Sequence, residues 1–166
     1  MDFTAHYQSP LGNMTMTSDG TSLTGLWFDK VEHSTHTLDI GQQKRHDLPI
    51  FDETRHWLDL YFSGKIPTFT PTLLLRGSDF RQRVWELLLA IPYGRTVSYG
   101  EIARQIARER GLTVMSAQAV GGAVGHNPVS IIVPCHRVIG ANGSLTGYGG
   151  GIDKKIGLLQ IEGVLP

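Results

Sequence analysis

A chain of 166 residues with 40 % hydrophobic side chains can bury a core and suits one ordinary domain, or a small domain joined to a larger one. Fifteen Lys/Arg balance fifteen Asp/Glu, no apolar run approaches the roughly 20 residues that cross a bilayer, and MDFTAHYQSP lacks a basic segment followed by an apolar one, so the expectation is a cytoplasmic protein without a membrane span. The single cysteine excludes an internal disulfide and a thiolate-rich zinc cluster, and histidines 6, 33, 36, 46 and 56 without cysteines make a poor zinc set.

FTAHYQ, NMTMTS and SLTGLWF alternate apolar and polar residues and are separated by Pro10-Leu11-Gly12 and Asp19-Gly20, which predicts a small antiparallel meander. A polar loop spans 29–50. In FDETRHWLDLYFSG, Phe51, Trp57, Leu58, Tyr61 and Phe62 recur near helical spacing, with Gly64 where a C-terminal cap belongs. Residues 65–77, with Pro67 and Pro71, read as a linker. The expected division is therefore 1–75, an N-terminal α/β domain with its linker, and 76–166, a helical domain. Charge divides the same way: residues 1–75 carry five Lys/Arg against nine Asp/Glu, net −4, and residues 76–166 carry ten against six, net +4. A basic second half suits a nucleic-acid partner, although so small an imbalance also arises by chance.

From Ser78 the pattern is helical. Phe80, Val84, Leu87, Leu88 and Ile91 form an apolar stripe ended by Pro92-Tyr93-Gly94. Ser98 with Glu101 has the capping-box spacing ahead of EIARQIARER, which Gly111 ends. A third helix from about Ser116 to His126 follows, giving a helix-turn-helix layout. That helix carries Ala117, Ala119, Gly121, Gly122, Ala123 and Gly125, although each interior glycine costs about 1 kcal/mol against alanine. Small residues there permit close packing on a neighbouring helix or close approach to another backbone such as DNA, with Gln118 as the longest probe.

The chemistry sits in IIVPCHRVIG, residues 131–140, where an apolar run reading as a buried strand delivers Cys135 behind Pro134 and ahead of His136 and Arg137. An unperturbed thiol is mostly protonated at neutral pH, so a nucleophilic cysteine needs a base. In an extended segment, adjacent side chains face opposite ways, which makes a bridging water the route from Cys135 to His136. Such a histidine wants a carboxylate, and Glu162 in LLQIEG is the candidate. If His136 and Glu162 depress the thiol pKa, Cys135 should label with iodoacetamide faster than an ordinary thiol. A lone cysteine among apolar residues is otherwise most often an inert core residue.

PCHRVIG, with HNPVSIIV before it and GSLTGYGGG after it, closely resembles the active-site segment of the O6-alkylguanine-DNA alkyltransferases. The resemblance extends through FRQRVWELLLAIPYGRTVSYGEIA, AQAVGGAVGHNP and GLLQIEG, about residues 78–163. It implies an α+β protein: a small N-terminal antiparallel sheet with a helix, ribonuclease-H-like, and a C-terminal helical domain with a winged helix-turn-helix-like DNA-binding module. It further implies a monomer that binds duplex DNA from the minor groove, flips out an O6-alkylguanine and takes the alkyl group irreversibly onto Cys135, with no cofactor or metal; O4-alkylthymine stays open as a second lesion. In this scheme His136 takes the thiol proton through water, Glu162 holds His136, and Asn127 orders the turn into the active site. Tyr99, Gln118, Ser98 and Ala117 fall on DNA- or base-contacting positions, Ser130 and Val138 on pocket positions, and Tyr148 and Gly149 on the loop that closes over the base. Arg137 matches a structural arginine grouped with the base-binding set.

Two departures stand out. Gln118 replaces the arginine finger that enters the vacated base stack, and brings neither charge nor much stacking area. Lys155-Ile156-Gly157 replaces a segment that usually holds tryptophan, which questions the packing of the last helix. The alternative function is a non-enzymatic binder of alkylated DNA, which Cys135 argues against.

Overall fold

The computed structural model describes residues 2–30 and 47–166; most of the 29–50 loop, with His33, His36 and His46, lies outside the described residues. Strands β1 (Phe3–Ser9), β2 (Gly12–Ser18) and β3 (Leu23–Phe28) form an antiparallel meander in the order β1-β2-β3. Ser9 pairs with Gly12 across the two-residue turn Pro10-Leu11. At the second turn, the Asp19 carboxylate accepts the N–H groups of Thr21 and Ser22 and so fixes the loop. Alternation puts Met14 and Met16 of β2 on the inner face with Leu23, Leu26 and Phe28 of β3. Helix α1 (Pro49–Phe62) lays Ile50, Phe51, Thr54, Trp57, Leu58 and Tyr61 against that face. It begins two residues before the apolar stripe because Pro49 suits the first helical turn, where an N–H is not needed.

The outer edge of β3 is covered. Leu23 gives its N–H to the Thr72 carbonyl and takes one from Leu74, whereas Leu26 bonds Pro128 and Ser130 in the same manner. Part of the expected linker thus closes a sheet edge that would otherwise offer unpaired backbone groups. By contact, the described residues up to Arg76 together with Pro128–Ser130 make one unit, and Gly77–Asn127 with Ile131–Pro166 make another.

In the second unit, α2 (Asp79–Leu89), α3 (Tyr99–Arg110) and α4 (Ala117–Gly125) each start on a serine whose Oγ accepts the N–H of the third helical residue: Ser78 from Arg81, Ser98 from Glu101, Ser116 from Ala119. Val84, Trp85, Leu88, Ile102, Ile106, Val120 and Val124 are buried where these helices meet. The Trp85 indole N–H donates to the Ala123 carbonyl at 2.9 Å, which satisfies a polar group inside that core. A two-residue parallel ladder joins β4 (Val97–Ser98) to β5 (Val138–Ile139), and α5 (Ile152–Ile161) closes the chain. Helix α5 forms without a tryptophan, burying Lys155, Gly157, Leu158 and Leu159. Among the described residues no helix is long and apolar enough to cross a membrane.

Candidate active site

The segment that delivers Cys135 is not the strand its apolar run suggests. Ile131 has φ +70°, a left-handed conformation that costs a β-branched residue about 1–3 kcal/mol. Pro134, at φ −82° and ψ 66°, is the centre of an inverse γ-turn closed by the Cys135 N–H on the Val133 carbonyl at 2.8 Å. Cys135–Arg137 then make one 3₁₀ turn. Burial of Ile131, Ile132 and Val133 holds this sharp path in place of extended pairing. Adjacent side chains on a 3₁₀ turn diverge by about a third of a turn, not the half turn of a strand, so Cys135 and His136 project from one corner.

Glu162 organises the corner. It follows the last residue of α5, and Gly163, at φ +77°, turns the chain so that the Val164 N–H reaches back to Leu159 and ends the helix there. Its Oε1 accepts from Arg137 Nε at 2.8 Å and from the Gly94 N–H at 2.9 Å; its Oε2 meets His136 Nε2 at 2.5 Å and Arg137 Nη2 at 3.2 Å. Arg137 also donates through Nη1 to the Ile91 carbonyl at 2.7 Å and lies over the Tyr93 ring. Burial alone would push the Glu162 carboxyl up, but hydrogen bonds from His136, Arg137 and Gly94 outweigh it and hold the pKa at about 2. Glu162 is therefore ionised and can only accept, which puts a proton on His136 Nε2 and leaves Nδ1 as the basic nitrogen. Burial holds His136 below its ordinary pKa, reinforced by the charges of Arg137 and Lys155 against the pull of Glu162. A neutral imidazole is thus available as a base at neutral pH.

Burial pushes the Cys135 thiol above its ordinary pKa, against smaller downward effects from a hydrogen bond with Asn127 and the charge of Lys155. This corrects the expectation of a resting thiol depressed by His136 and Glu162: a buried sulfur disfavours the anion more than its neighbours favour it. Asn127 also donates Nδ2 to the Val133 carbonyl at 2.8 Å, tying the end of α4 to the γ-turn. Tyr99 opens α3 and gives its hydroxyl to the Thr146 carbonyl at 3.4 Å; burial raises its pKa, and a thiolate at Cys135 would raise it further.

Cys135, His136, Glu162, Arg137, Asn127 and Tyr99 are thus brought together, and Val138 joins them through its carbonyl, which accepts from Lys155. The contacts described for the other expected residues are with other groups. Ala117 and Gln118 are exposed on α4, and Ser98 is occupied as the cap of α3. Ser130 belongs with β3 of the first unit through its N–H bond to Leu26. Tyr148 and Gly149 lie in the 140–151 loop, where the Tyr148 carbonyl accepts from Gly151. Gly122 and Gly125 have open space where a Cβ would stand, so they do not serve helix packing; with Ala117 and Gln118 they leave a shallow exposed face on α4. Lys155 is the residue that pattern reading missed, because a lysine amid KK on an amphipathic helix reads as solvated.

A helix-turn-helix carried beside a buried thiol, with a neutral histidine braced by a carboxylate, defines a DNA-associated protein with a cysteine built for group transfer. The model of the 6-O-methylguanine DNA methyltransferase ribonuclease-like domain matches residues 3–75, and that of the 6-O-methylguanine DNA methyltransferase DNA binding domain matches residues 79–164. A methylated-DNA-protein-cysteine methyltransferase of Mycobacterium tuberculosis is 48 % identical over 164 residues, covering 95 % of this chain and 92 % of the relative. One from Haemophilus influenzae is 39 % identical over 158 residues, covering 95 % and 84 %. The crystal structure of Mycobacterium tuberculosis OGT in complex with DNA superposes with a TM-score of 0.81 at 44 % identity, covering 99 % of this chain and 95 % of that one. The chain belongs to the 6-O-methylguanine DNA methyltransferase family.

Proposed function

We propose that this protein repairs O6-alkylguanine in duplex DNA by irreversible transfer of the alkyl group to Cys135, one lesion per molecule. The observation that carries this reading is the buried thiol next to a neutral histidine whose Nε2 is held by an ionised Glu162. The alkyl carbon on O6 is inaccessible inside a stacked duplex, so the guanine must first leave the helix. The thiol proton passes through a bridging water to His136 Nδ1, and Glu162 stabilises the imidazolium. Sulfur then attacks the alkyl carbon, the C–O6 bond breaks, and its electron pair goes to the base. The base takes up one proton, supplied through Tyr99 and finally matched by the one His136 received, which leaves a thioether and neutral guanine. A thioether is not opened by thiol exchange, and the chain holds no second cysteine to relay the group.

In this reading residues 76–166 carry the chemistry and meet the minor groove through the exposed face of α4, with Gln118 at the vacated stack and residues 1–75 as a separate domain. The protein acts as a monomer. It works in the cytoplasm, where a lone nucleophilic thiol stays reduced. A non-reacting binder of alkylated DNA would have no use for Cys135 and its base. Incubation with an alkylated duplex followed by intact-mass analysis tests the proposal. The expected product carries one alkyl group on Cys135, with Cys135→Ser inert but still bound to the duplex; sustained turnover, or transfer by the serine variant, would overturn it.

A further inference from the structure

Helix α3 carries three arginines, and the protein itself engages two of them: Arg110 lies over the Phe80 ring, and Arg108 donates to Gln105 at 2.7 Å. Arg104 is different. Among the described residues its guanidinium makes neither hydrogen bond nor ion pair, although Glu101 stands one turn back on the same exposed side. It lies on the backbone of Gly100, where a Cβ would stand 3.2 Å from Nη1, so the glycine clears its place. The ring of the preceding residue, Tyr99, is 3.9 Å from where a Gly121 Cβ would stand, so this end of α3 lies against the middle of α4. Carboxylates are scarce around it. From Leu87 to Ile152 they are those of Glu101 and Glu109, and Glu109 is bonded to Arg83. Helix α4 holds no charged residue at all. In a helix-turn-helix the second helix enters the groove while the first crosses the backbone, so a cation on the first helix meets phosphates even where the second offers none.

We propose that Arg104 binds a DNA phosphate where α3 crosses the backbone, and so supplies from the first helix the charge that Gln118 does not supply from the second. The inference rests on α4 approaching duplex DNA, as in the reading above, and not on alkyl transfer. An exposed guanidinium with no partner of its own loses no internal bond when it takes a phosphate, and its planar fork suits two phosphate oxygens at once. Such a contact carries no sequence information. It fixes how the protein lies on the duplex and makes binding depend on salt.

The test is the salt dependence of binding to an unmodified duplex, measured on the full chain for the wild type, Arg104→Gln, Arg104→Lys and Arg110→Gln. Each phosphate contact adds about 0.9 to the slope of log K against log salt, so Arg104→Gln should lose about that much, and between about 50 and 200 mM salt its affinity should fall roughly threefold less than that of the wild type. Arg104→Lys keeps the charge and should keep the slope. Arg110→Gln makes the same change of net charge at the other end of α3 and should leave the slope as it is. Transfer from alkylated duplex at subsaturating protein should slow in Arg104→Gln, while transfer from free O6-benzylguanine holds its rate. An unchanged slope in Arg104→Gln, or an equal change in Arg110→Gln, would overturn the proposal. Failure of the wild-type protein to accept benzyl would instead remove the transferase reading, while leaving the salt titration interpretable.

Discussion

Arg137 grips both oxygens of Glu162, Nε on Oε1 at 2.8 Å and Nη2 on Oε2 at 3.2 Å, so the carboxylate that braces His136 is already paired with a permanent cation. This divides two tasks that a Cys-His-Glu set alone would merge. Arg137 neutralises Glu162 and, by its charge, adds to the burial that keeps His136 unprotonated at rest; Glu162 fixes which ring nitrogen is basic. Removing the carboxylate charge should therefore cost more than a catalytic hydrogen bond. Glu162→Gln leaves the buried Arg137 guanidinium without a counter-ion, which should destabilise the protein by about 3–5 kcal/mol in urea unfolding. A loss below about 1 kcal/mol would show that the pair contributes little to the fold.

Acid should unfold the protein through the same cluster. Burial lowers the His136 pKa from 6.5, so the neutral form belongs to the folded state; its contribution is complete above pH 6.5 and is lost as pH falls towards the folded value. Glu162 is depressed from 4.5 to about 2, so its contribution is complete above pH 4.5 and disappears as pH falls through about 2. Both signs agree, and thermal midpoints should decline continuously from pH 6.5 to pH 2. His136→Asn should flatten the upper part of that decline. An unchanged slope between pH 6.5 and 4.5 in this variant would assign the loss to other groups.

The thiol should be unreactive until it is activated. Because burial raises its pKa, Cys135 in the free protein should label with iodoacetamide more slowly at neutral pH than an ordinary thiol. His136→Ala should slow alkyl transfer by roughly 10²–10⁴-fold, the usual contribution of a general base. Faster labelling than a free thiol, or an unchanged transfer rate in the variant, would contradict a thiolate formed on demand.

Local signals carried much of this into the sequence. Ser78, Ser98 and Ser116 are helix caps whose hydrogen bonds close within three residues, and the β1–β3 meander rests on alternation and turns that are equally local. The chain's similarity over residues 78–163 named the thiol and its partners before any distance was known. What stayed hidden depends on groups far apart in the chain. The γ-turn at Pro134 and the left-handed Ile131 replace a strand because buried neighbours enforce them. The cover over the β3 edge comes from 72–74 and from 128–130. Lys155 is buried because α5 carries it to the carbonyls of Val138 and Thr146. The direction of the thiol pKa was misread for the same reason, since sequence adjacency shows a base but not the desolvation that outweighs it.

Gln118 is where flipping and chemistry can be separated. It is exposed near the start of α4, one helical turn before the open backbone of Gly122. If α4 meets DNA as proposed, an arginine there adds one cation at the contact, which should steepen the salt dependence of duplex binding by roughly one counter-ion. Better stacking in the gap should also favour the extruded base. Gln118→Arg should therefore raise the single-turnover rate on alkylated duplex and hardly change reaction with free O6-benzylguanine, which needs no flipping. Gln118→Ala should lower the duplex rate only modestly, because the side chain it removes supplies shape and a hydrogen bond but no charge. Equal changes on duplex and free base would mean that position 118 acts on the pocket, and its place at the vacated stack would have to be given up.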